Sequence, residues 1–367
     1  ARIRPGSMQP LIGPGYKPVD TDEKGLWAQM ERVEEEVAGS NLLIKDPELN
    51  RYLQGLIGRV GGPAAKDMRI YLARVPEFNA MMFPTGFTVF FSGLLLRMRD
   101  EAQLAGVIAH EASHFLLKHQ IRSWRDMKRK TNIFAALAMA AGVAGGATGT
   151  YTGDLVRLAE LGTMLTLFRY SRQLEAESDA LGLKLIADAG YSPISMSETW
   201  DQLITELEWS ARERRKRVRR DFSLFSTHPA PRERLRDLDL SAREYAVAGK
   251  SYERGRERYL QALQPIRQTL FEDQVRLNDP GASQYIVETL AKDGWNGQLL
   301  FTRGEIHRLR NGQAHQQAAA LNYAQAVTYP DAPADAWRWH GVMLMKQGRE
   351  AEGRTALQRY LALAPNA

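Results

Sequence analysis

Residues 100–119 (DEAQLAGVIAHEASHFLLKH) constrain the fold of this chain more than any other segment. Their apolar residues recur at the spacing of a buried helix, and Asp100 stands where a helix N-cap is expected. His110 and His114 lie four positions apart within this run. Residues i and i+4 share one face of an α-helix, so the sequence predicts two imidazoles that point in the same direction.

Two convergent imidazoles favour a metal site, although a surface helix that happens to carry two histidines would show the same pentapeptide. The chain has no cysteine, so any metal ligands must come from His, Asp and Glu. This suits zinc, which in catalytic sites takes three protein ligands and leaves one position open. Glu111 points about 100° away from the histidine face. There it is expected to take a proton from water for attack on a peptide carbonyl and to pass it to the leaving amine.

A third ligand is expected from a second helix. Residues 155–189 have helical spacing and are followed by Gly190, a residue typical of helix C-termini. Glu175 and Asp179 share one face of this helix, so we predict that Glu175 is the third ligand. Asp179 then accepts a hydrogen bond from the far nitrogen of a ligating histidine. We interpret Glu177 as a solvated charge, and His119, off the ligand face, as non-ligating.

The residues before the histidine helix predict two helices followed by a small sheet. Residues 24–37 have helical spacing, and Asp46-Pro47 is typical of a helix start. Residues 67–75 alternate as a strand, and residues 80–92 read as two short strands around Pro84-Thr85-Gly86. We expect these strands to form a small antiparallel sheet.

The sequence after about residue 255 has a different pattern. Residues 336–365 fit the tetratricopeptide template, and a weaker copy precedes them, although a generic helical hairpin is the alternative. We therefore predict an extended N-terminus over residues 1–20, a catalytic domain over 21–250 and a helical repeat domain over 251–367. The template positions are Trp337, Gly341, Leu344, Leu357 and Pro365, with Gly353 in place of the usual alanine and with Gly304 and Pro330 in the weaker copy.

Charge and hydropathy limit the classes of partner. The net charge is +6, and residues 212–220 (RERRKRVRR) hold seven basic residues against one acid. We interpret this run as a solvated helix face or loop, with attraction to an anionic membrane surface or an acidic partner as the alternative. Nucleic acid is not expected, because no aromatic residues interleave the run.

Two further segments bear on membranes and export. The Ala/Gly-rich residues 133–147 fall short of the about 20 residues that span a bilayer, so we interpret them as a hairpin tip or lid. Residues 1–8 (ARIRPGSM) look like a vector remnant. We therefore expect that a native export signal has been removed.

Four ordered segments resemble one known family of zinc peptidases: residues 79–95, 100–119, 171–193 and 227–235. They are similar to the signature blocks of the gluzincin family that contains the CAAX prenyl endopeptidases and the HtpX-type proteases. With a repeat region after them, the chain is most similar to the periplasmic BepA-like branch. Ser113 and Ser178 depart from the small residues common at their positions, and neither change threatens the ligand geometry.

The resemblance implies a mainly α (α+β) zincin domain with a small β-sheet, followed by tetratricopeptide-like helices. It implies one zinc ion per chain, with Glu111 as general base and Asp179 as a carboxylate that accepts a hydrogen bond from a metal-binding histidine. His228 is expected near the metal, as a fourth ligand in a resting state, although a loop histidine bonded to backbone is the alternative. Arg234 is expected to stabilise an oxyanion or brace that loop. The implied zinc ligands are His110, His114 and Glu175, and the implied substrate-binding residues are Phe83, Gly86, Thr88 and Phe90, on an edge strand near residues 83–91.

The expected function is that of a zinc endopeptidase in cell-envelope quality control or outer-membrane protein assembly. We expect a periplasmic or membrane-peripheral protein that cleaves unfolded or misassembled proteins, with repeats that recruit the outer-membrane assembly machinery. A chaperone or adaptor with a structural or closed zinc site is the alternative. A cytoplasmic protease of general specificity is left open.

Overall fold

The structure is a computed structural model that describes residues 2–4, 6–130, 169–215, 228, 232–247 and 249–365. The Ala/Gly-rich segment, residues 216–220 of the basic run and the residues flanking His228 lie outside this part. The described residues are mainly helical with one small sheet, which confirms the predicted class. Within them, no helix is both long and apolar enough to span a membrane.

Internal contacts divide the chain into two compact units. The first unit is Ala1–Asp201 with Arg220–Leu263, and the second is Gln202–Arg219 with Gln264–Ala367. This division differs from the predicted boundary at residue 250, because two helices each contribute residues to both units.

The first unit begins with two helices, and the sequence predicted the start of the second one at Asp46-Pro47. The side chain of Asp20 accepts a hydrogen bond from the backbone N–H of Glu23, and that of Asp46 from the backbone N–H of Leu49. Pro47 at the first helical position has no N–H to leave unsatisfied. Among the described residues, the helices of this unit are α1 (Thr21–Ala38), α2 (Pro47–Val60), α3 (Ser92–Arg97), α4 (Glu101–Leu116), α5 (His119–Lys130), α6 (Arg172–Asp188), α7 (Ile194–Glu213, shared), α8 (Arg232–Tyr245) and α9 (Arg256–Arg276, shared), with a 3-10 helix at Gly62–Asp67.

The sheet has three strands in the order β1-β3-β2: β1 (Arg69–Ala73), β2 (Ala80–Met82) and β3 (Phe87–Phe91). β2 and β3 form the predicted antiparallel hairpin, and Gly86 in its turn has φ 89°. A side chain there would meet the Asp67 carbonyl oxygen, which explains the glycine. β1 pairs parallel with β3, so the prediction of an all-antiparallel sheet is wrong. The chain from β1 passes to the far side of β3 before the hairpin forms, and β3 therefore runs in the direction of β1.

One face of the sheet is covered by α1. The apolar side of α1 carries Leu26, Met30 and Val33, which pack against Phe87, Val89 and other sheet residues. The side chains of Met30, Phe87 and Val89 are at most 1% exposed. Burial of one such side chain contributes about 1.5–3 kcal/mol, so this layer fixes the sheet firmly against the helix.

α4 is buried along its whole length, and its N-terminus is capped by Asp100 as predicted. It packs against α6, and Gly182 of α6 faces the α4 backbone. A Cβ at Gly182 would lie 3.4 Å from the backbone nitrogen of His110. The hydroxyl of Ser178 on α6 donates to the carbonyl oxygen of His110 at 2.8 Å. The Ser178 hydrogen bond thus joins these two helices at the first histidine of the motif.

The second unit contains two helical hairpins with close helix contacts. At Gly304 a Cβ would lie 2.5 Å from the ring of Tyr323, and at Gly341 one would lie 2.8 Å from Leu357. These glycines permit the helices of each hairpin to approach closely. Besides its parts of α7 and α9, this unit contains α10 (Pro280–Leu290), a 3-10 turn (Ala291–Asp293), α11 (Gly297–Arg310), α12 (Gln313–Ala326), α13 (Ala334–Lys346) and α14 (Glu350–Leu363).

Candidate metal centre

Four side chains with metal-binding groups converge in the first unit, and together we call them the donor cluster. α4 contributes His110 and His114, and α6 contributes Glu175. His228, from the segment between α7 and α8, is the fourth member. One nitrogen or oxygen atom from each residue lies within 4.8 Å of those of the others, and all four residues are buried.

The spacing of the donor cluster suits a tetrahedral metal ion. Nε2 of His110 lies 3.1 Å from Nε2 of His114, and the two Glu175 oxygens lie 3.6 and 3.5 Å from these nitrogens. Nδ1 of His228 lies 2.9 Å from Oε1 of Glu175 and 3.4 Å from Nε2 of His110. Ligands about 2.0–2.1 Å from a tetrahedral zinc lie roughly 3.3 Å apart, so these buried donors fit zinc.

Glu111 lies beside the donor cluster, with its Oε1 3.5 Å from Nε2 of His228. Its side chain is buried, and neither carboxylate oxygen has a hydrogen-bond partner among the described residues. Burial raises the pKa of Glu111, and this outweighs the opposite effect of His228 and His110. At this position Glu111 can take a proton from water held at the donor cluster.

Arg234 binds two carboxylates behind the donor cluster. Its Nε and Nη2 each donate to Asp179 at 2.8 Å, and its Nη1 lies 2.5 Å from Oε2 of Glu175. The guanidinium also lies over the ring of Trp200, 4.6 Å from its centre. Burial alone would raise the pKa of Glu175 and of Asp179. The positive charge of Arg234 outweighs that effect at both carboxylates, and His228 adds to it at Glu175, so both pKa values lie below their usual range. Arg234 therefore keeps both groups ionised.

Asp179 faces His110, as expected for a carboxylate that orients a metal-binding histidine. Its Oδ1 lies 3.0 Å from Nδ1 of His110, the nitrogen that points away from the donor cluster. A carboxylate in this position favours a proton on Nδ1 and leaves Nε2 free to bind a metal.

His228 is enclosed by acidic groups. Its Nδ1 contacts Glu175, and its Nε2 lies 3.5 Å from Oε1 of Glu111. Burial lowers the pKa of His228, but the carboxylates of Glu175 and Glu111 outweigh it and raise its pKa above the usual value.

Glu177 is not the solvated charge that we predicted. It is 6% exposed and accepts hydrogen bonds from Nη1 of Arg122 at 2.6 Å and from Nε2 of Gln173 at 3.0 Å. It also lies 3.1 Å from Nε2 of His119. The hydrogen bond from His119 and that from Arg122 lower the pKa of Glu177 to about 2. Helical spacing placed Glu177 off the ligand face but did not show that α5 packs there.

These features and a comparison with known proteins identify the family. The model of peptidase family M48 matches residues 43–242, which include the sheet, α4, α6 and the donor cluster. The chain belongs to peptidase family M48. The predicted family is therefore confirmed, and zinc, the metal of M48 peptidases, is the metal that this donor cluster fits.

Several curated relatives share this M48 region. The "Beta-barrel assembly-enhancing protease" of Escherichia coli K12 is 30% identical over 212 residues, which are 55% of this chain and 40% of the relative. "Metalloprotease LoiP" of the same organism is 29% identical over 172 residues, 47% of this chain and 61% of the relative. "Mitochondrial metalloendopeptidase OMA1" of Schizosaccharomyces pombe is 26% identical over 191 residues, 52% of this chain and 51% of the relative. The matches thus span less than two thirds of each relative's length.

The position predicted for the edge strand of this M48 domain is wrong. β3, which lies within the predicted edge strand, is the central strand and pairs on both sides. Its residues Thr88 and Phe90 are at most 1% exposed, and Phe83 is fully buried. Thr88 and Phe90 therefore cannot present a free edge to a peptide, and with Phe83 and Gly86 they shape the hairpin. The edge strand beside Glu111 is β2.

Two aromatic residues at the M48 site were missed from the sequence. Tyr170 stacks on His114 with ring centres 3.7 Å apart, and Trp200 meets the edge of His110 at 5.8 Å. Both are buried. No spacing rule singles them out, because each comes from a different segment and reaches the histidines only in the folded chain.

Proposed function

We propose that this chain is a zinc-dependent endopeptidase. The observation that carries the proposal is the buried carboxylate of Glu111, which has no hydrogen-bond partner among the described residues and adjoins the donor cluster. A purely structural zinc site needs no such base. The M48 membership and the protease names of the relatives support the same reaction.

Different residues would bind the metal and transfer the proton. His110, His114 and Glu175 would hold the zinc, which when bound acidifies water and polarises a peptide carbonyl. Glu111 takes a proton from the attacking water and delivers it to the leaving amine. Asp179 orients His110, and Arg234 offsets the negative charge of Asp179 and Glu175, so the ligand geometry is fixed before substrate binds.

We propose that an extended segment of substrate pairs with β2. The backbone N–H of Met82 lies next to the Glu111 carboxylate, so this edge leads to the catalytic base. The Met82 carbonyl accepts a hydrogen bond from Nε2 of Gln120 at 3.1 Å. The residues of β2 are at most 3% exposed, so a peptide that adds a strand to this edge would displace Gln120 and replace that bond with its own main-chain hydrogen bond.

We propose that His228 closes the site in a resting state. With His228 as the fourth protein donor, a bound zinc would have no open position for water, as in structural zinc sites. The distances of His228 to Glu175 and His110 support this role. Departure of His228 opens the position on which hydrolysis depends.

The proposed setting is the cell envelope, in the periplasm or at a membrane surface. The name of the E. coli relative refers to β-barrel assembly, so we propose unfolded or misassembled outer-membrane proteins as substrates. We propose that the hairpins α11–α12 and α13–α14 are tetratricopeptide-type repeats that recruit substrate or the assembly machinery. The close contacts at Gly304 and Gly341, two template positions, support this assignment. The basic residues 212–220 are a proposed contact to anionic lipid.

Glu111→Gln tests the proposed peptidase reaction. The variant should keep its zinc, because Glu111 is not a ligand, and should cleave a fluorescently labelled unfolded protein about 10²- to 10⁴-fold more slowly. Zinc content by mass spectrometry and cleavage rate are measured on the same sample. Glu48→Gln, an exposed change on α2, is the matched control and should behave as the wild type.

The same variant separates the peptidase from the adaptor. An adaptor with a structural zinc would keep full function in cells after Glu111→Gln. Full function together with retained zinc therefore contradicts the peptidase proposal, whereas loss of cleavage and of function supports it.

A further inference from the structure

A buried chain of hydrogen bonds leads away from the donor cluster behind His114. Nδ1 of His114 lies 2.8 Å from Nδ1 of His119, and Nε2 of His119 lies 3.1 Å from Oε2 of Glu177. His114 and His119 are fully buried, and Glu177 is 6% exposed. Nδ1 of His114 and both nitrogens of His119 each meet one partner in this set of contacts, and no solvent reaches the two rings.

The hydrogen bonds from His114 to Glu177 run in one direction, because the carboxylate at the end of the series can only accept a hydrogen bond. An ionised carboxylate has no proton to give, so Nε2 of His119 must donate to Glu177. A neutral His119 then has a lone pair on Nδ1 and accepts a proton from Nδ1 of His114. That arrangement leaves the Nε2 lone pair of His114 directed at the donor cluster. A reversed chain would put a proton on Nε2 of His114 and block metal binding.

The acceptor at the end of the chain is held in place. Arg122 and Gln173 both donate hydrogen bonds to Glu177, and these hold its carboxylate in the orientation that accepts the hydrogen bond from His119. Arg122 lies on α5, as does His119, whereas Gln173 lies on α6 with Glu177. The contact therefore joins the helix after the histidine motif to the helix that carries Glu175.

The backbone is bent to bring His119 back to the site. Lys118, between α4 and α5, has φ 56°, a left-handed conformation that non-glycine residues rarely adopt. This bend allows the His119 ring to return to His114, and the ring centres are 5.0 Å apart. The bend therefore lies directly beside the buried contact between His114 and His119.

We propose that His119 and Glu177 are positioning residues that select the metal-binding tautomer of His114. Asp179 directs the proton of His110 to Nδ1, and Glu177 has the same effect on His114 by acting through the imidazole of His119. The inference rests on the proposed zinc site, but it does not require that the chain cleave peptides.

Zinc affinity of the metal-free protein, measured by competition with a chromophoric chelator, tests this role. His119→Phe keeps the ring volume and removes both nitrogens, and it should weaken zinc binding by about 10- to 100-fold. Glu177→Leu removes the acceptor and should weaken binding in the same range. Glu177→Gln keeps an oxygen that can accept from His119, so it should remain clearly closer to the wild type than Glu177→Leu. His340→Phe, in the second unit, is the control.

Unfolding of the same metal-free variants by urea separates positioning from packing. A positioning role predicts that zinc affinity follows the presence of an acceptor at residue 177, whatever the stability of the metal-free protein. Wild-type zinc affinity in His119→Phe overturns the proposal, as does equal loss of affinity in both Glu177 variants. If the wild type binds zinc but cleaves no protein, the proposed function fails while these affinity ratios still decide the present inference.

Discussion

His228 differs from the other donors because it does not lie on α4 or α6. His110, His114 and Glu175 are fixed by two packed helices, whereas His228 comes from the segment between α7 and α8. A ligand on a separate segment can leave without disturbing the other three. This makes His228 the residue whose removal should open the site.

We expect His228→Ala to raise the rate of cleavage of an unfolded protein. Three ligands remain, so zinc should be retained, and an increase of about tenfold corresponds to about 1.4 kcal/mol of stabilisation of the closed form. Cleavage rate and zinc content are measured against the wild type, with His340→Ala as the control. A lower rate with zinc still bound would show that His228 assists catalysis instead of blocking it.

The sequence predicted which side chains share a helix face better than it predicted what surrounds them. His110, His114, Glu175 and Asp179 follow from the i, i+4 spacing on two helices, because spacing alone decides which residues share a face. Glu177 could not be placed in the same way, since its surroundings depend on where α5 packs. Tyr170 and Trp200 likewise reach the histidines only through tertiary contacts.

The start of α4 is anchored by a buried carboxylate. Glu101 is 1% exposed and accepts hydrogen bonds from the hydroxyls of Tyr52 at 2.8 Å and Tyr191 at 2.5 Å. Arg258 and Arg59 lie 2.5 and 3.3 Å from its oxygens. Burial raises the pKa of Glu101, but the hydrogen bonds from Arg258 and the two tyrosines outweigh it and hold the pKa below its usual value. The anchor therefore depends on an ionised Glu101.

This anchor predicts how the stability of the metal-free protein changes with pH. Because the folded-state pKa of Glu101 is lowered, its contribution is fully present above the ordinary value of 4.5 and is lost as pH falls through the lower folded value. The free energy of unfolding of the wild type should therefore fall more between about pH 5 and pH 3 than that of Glu101→Gln. Urea unfolding at each pH measures both, with Glu48→Gln as the control. Parallel pH profiles for the wild type and Glu101→Gln would contradict this account of the anchor.

The sheet shows why strand order was harder to predict than strand position. Alternation placed the strands correctly, and Pro84-Thr85-Gly86 marked the hairpin turn. The direction of β1 relative to β3 depends on where the chain crosses after Ala73, which local patterns do not encode. The error in the edge strand followed from this, because only the strand order shows that β2 lies at the edge.

The two units should respond differently to zinc and to substrate. All members of the donor cluster belong to the first unit, and the proposed repeats belong to the second. Zinc at 100 times its Kd stabilises the state that binds it by about 2.7 kcal/mol, which slows exchange of dependent amides by up to about 100-fold. We expect this protection in α4 and α6 and not in α11–α14.

Hydrogen exchange measured by mass spectrometry can follow both effects in one sample. When an unfolded outer-membrane protein is added to zinc-loaded Glu111→Gln, we expect new protection in α11–α14 and at β2. Protection at β2 alone would rule out recruitment by the repeats, and zinc-dependent protection throughout α11–α14 would contradict a separate response of the units.

Titration of zinc into the metal-free protein, with cleavage of an unfolded protein as the readout, tests the central claim most directly. The account predicts that the metal-free chain is inactive and that activity rises in proportion to added zinc up to one equivalent per chain. His228→Ala should reach its plateau at the same equivalence and at a higher rate. Cleavage that persists without metal, or a chain that binds one equivalent of zinc and cleaves nothing in either form, would contradict the assignment of His110, Glu111, His114 and Glu175 to a catalytic zinc site.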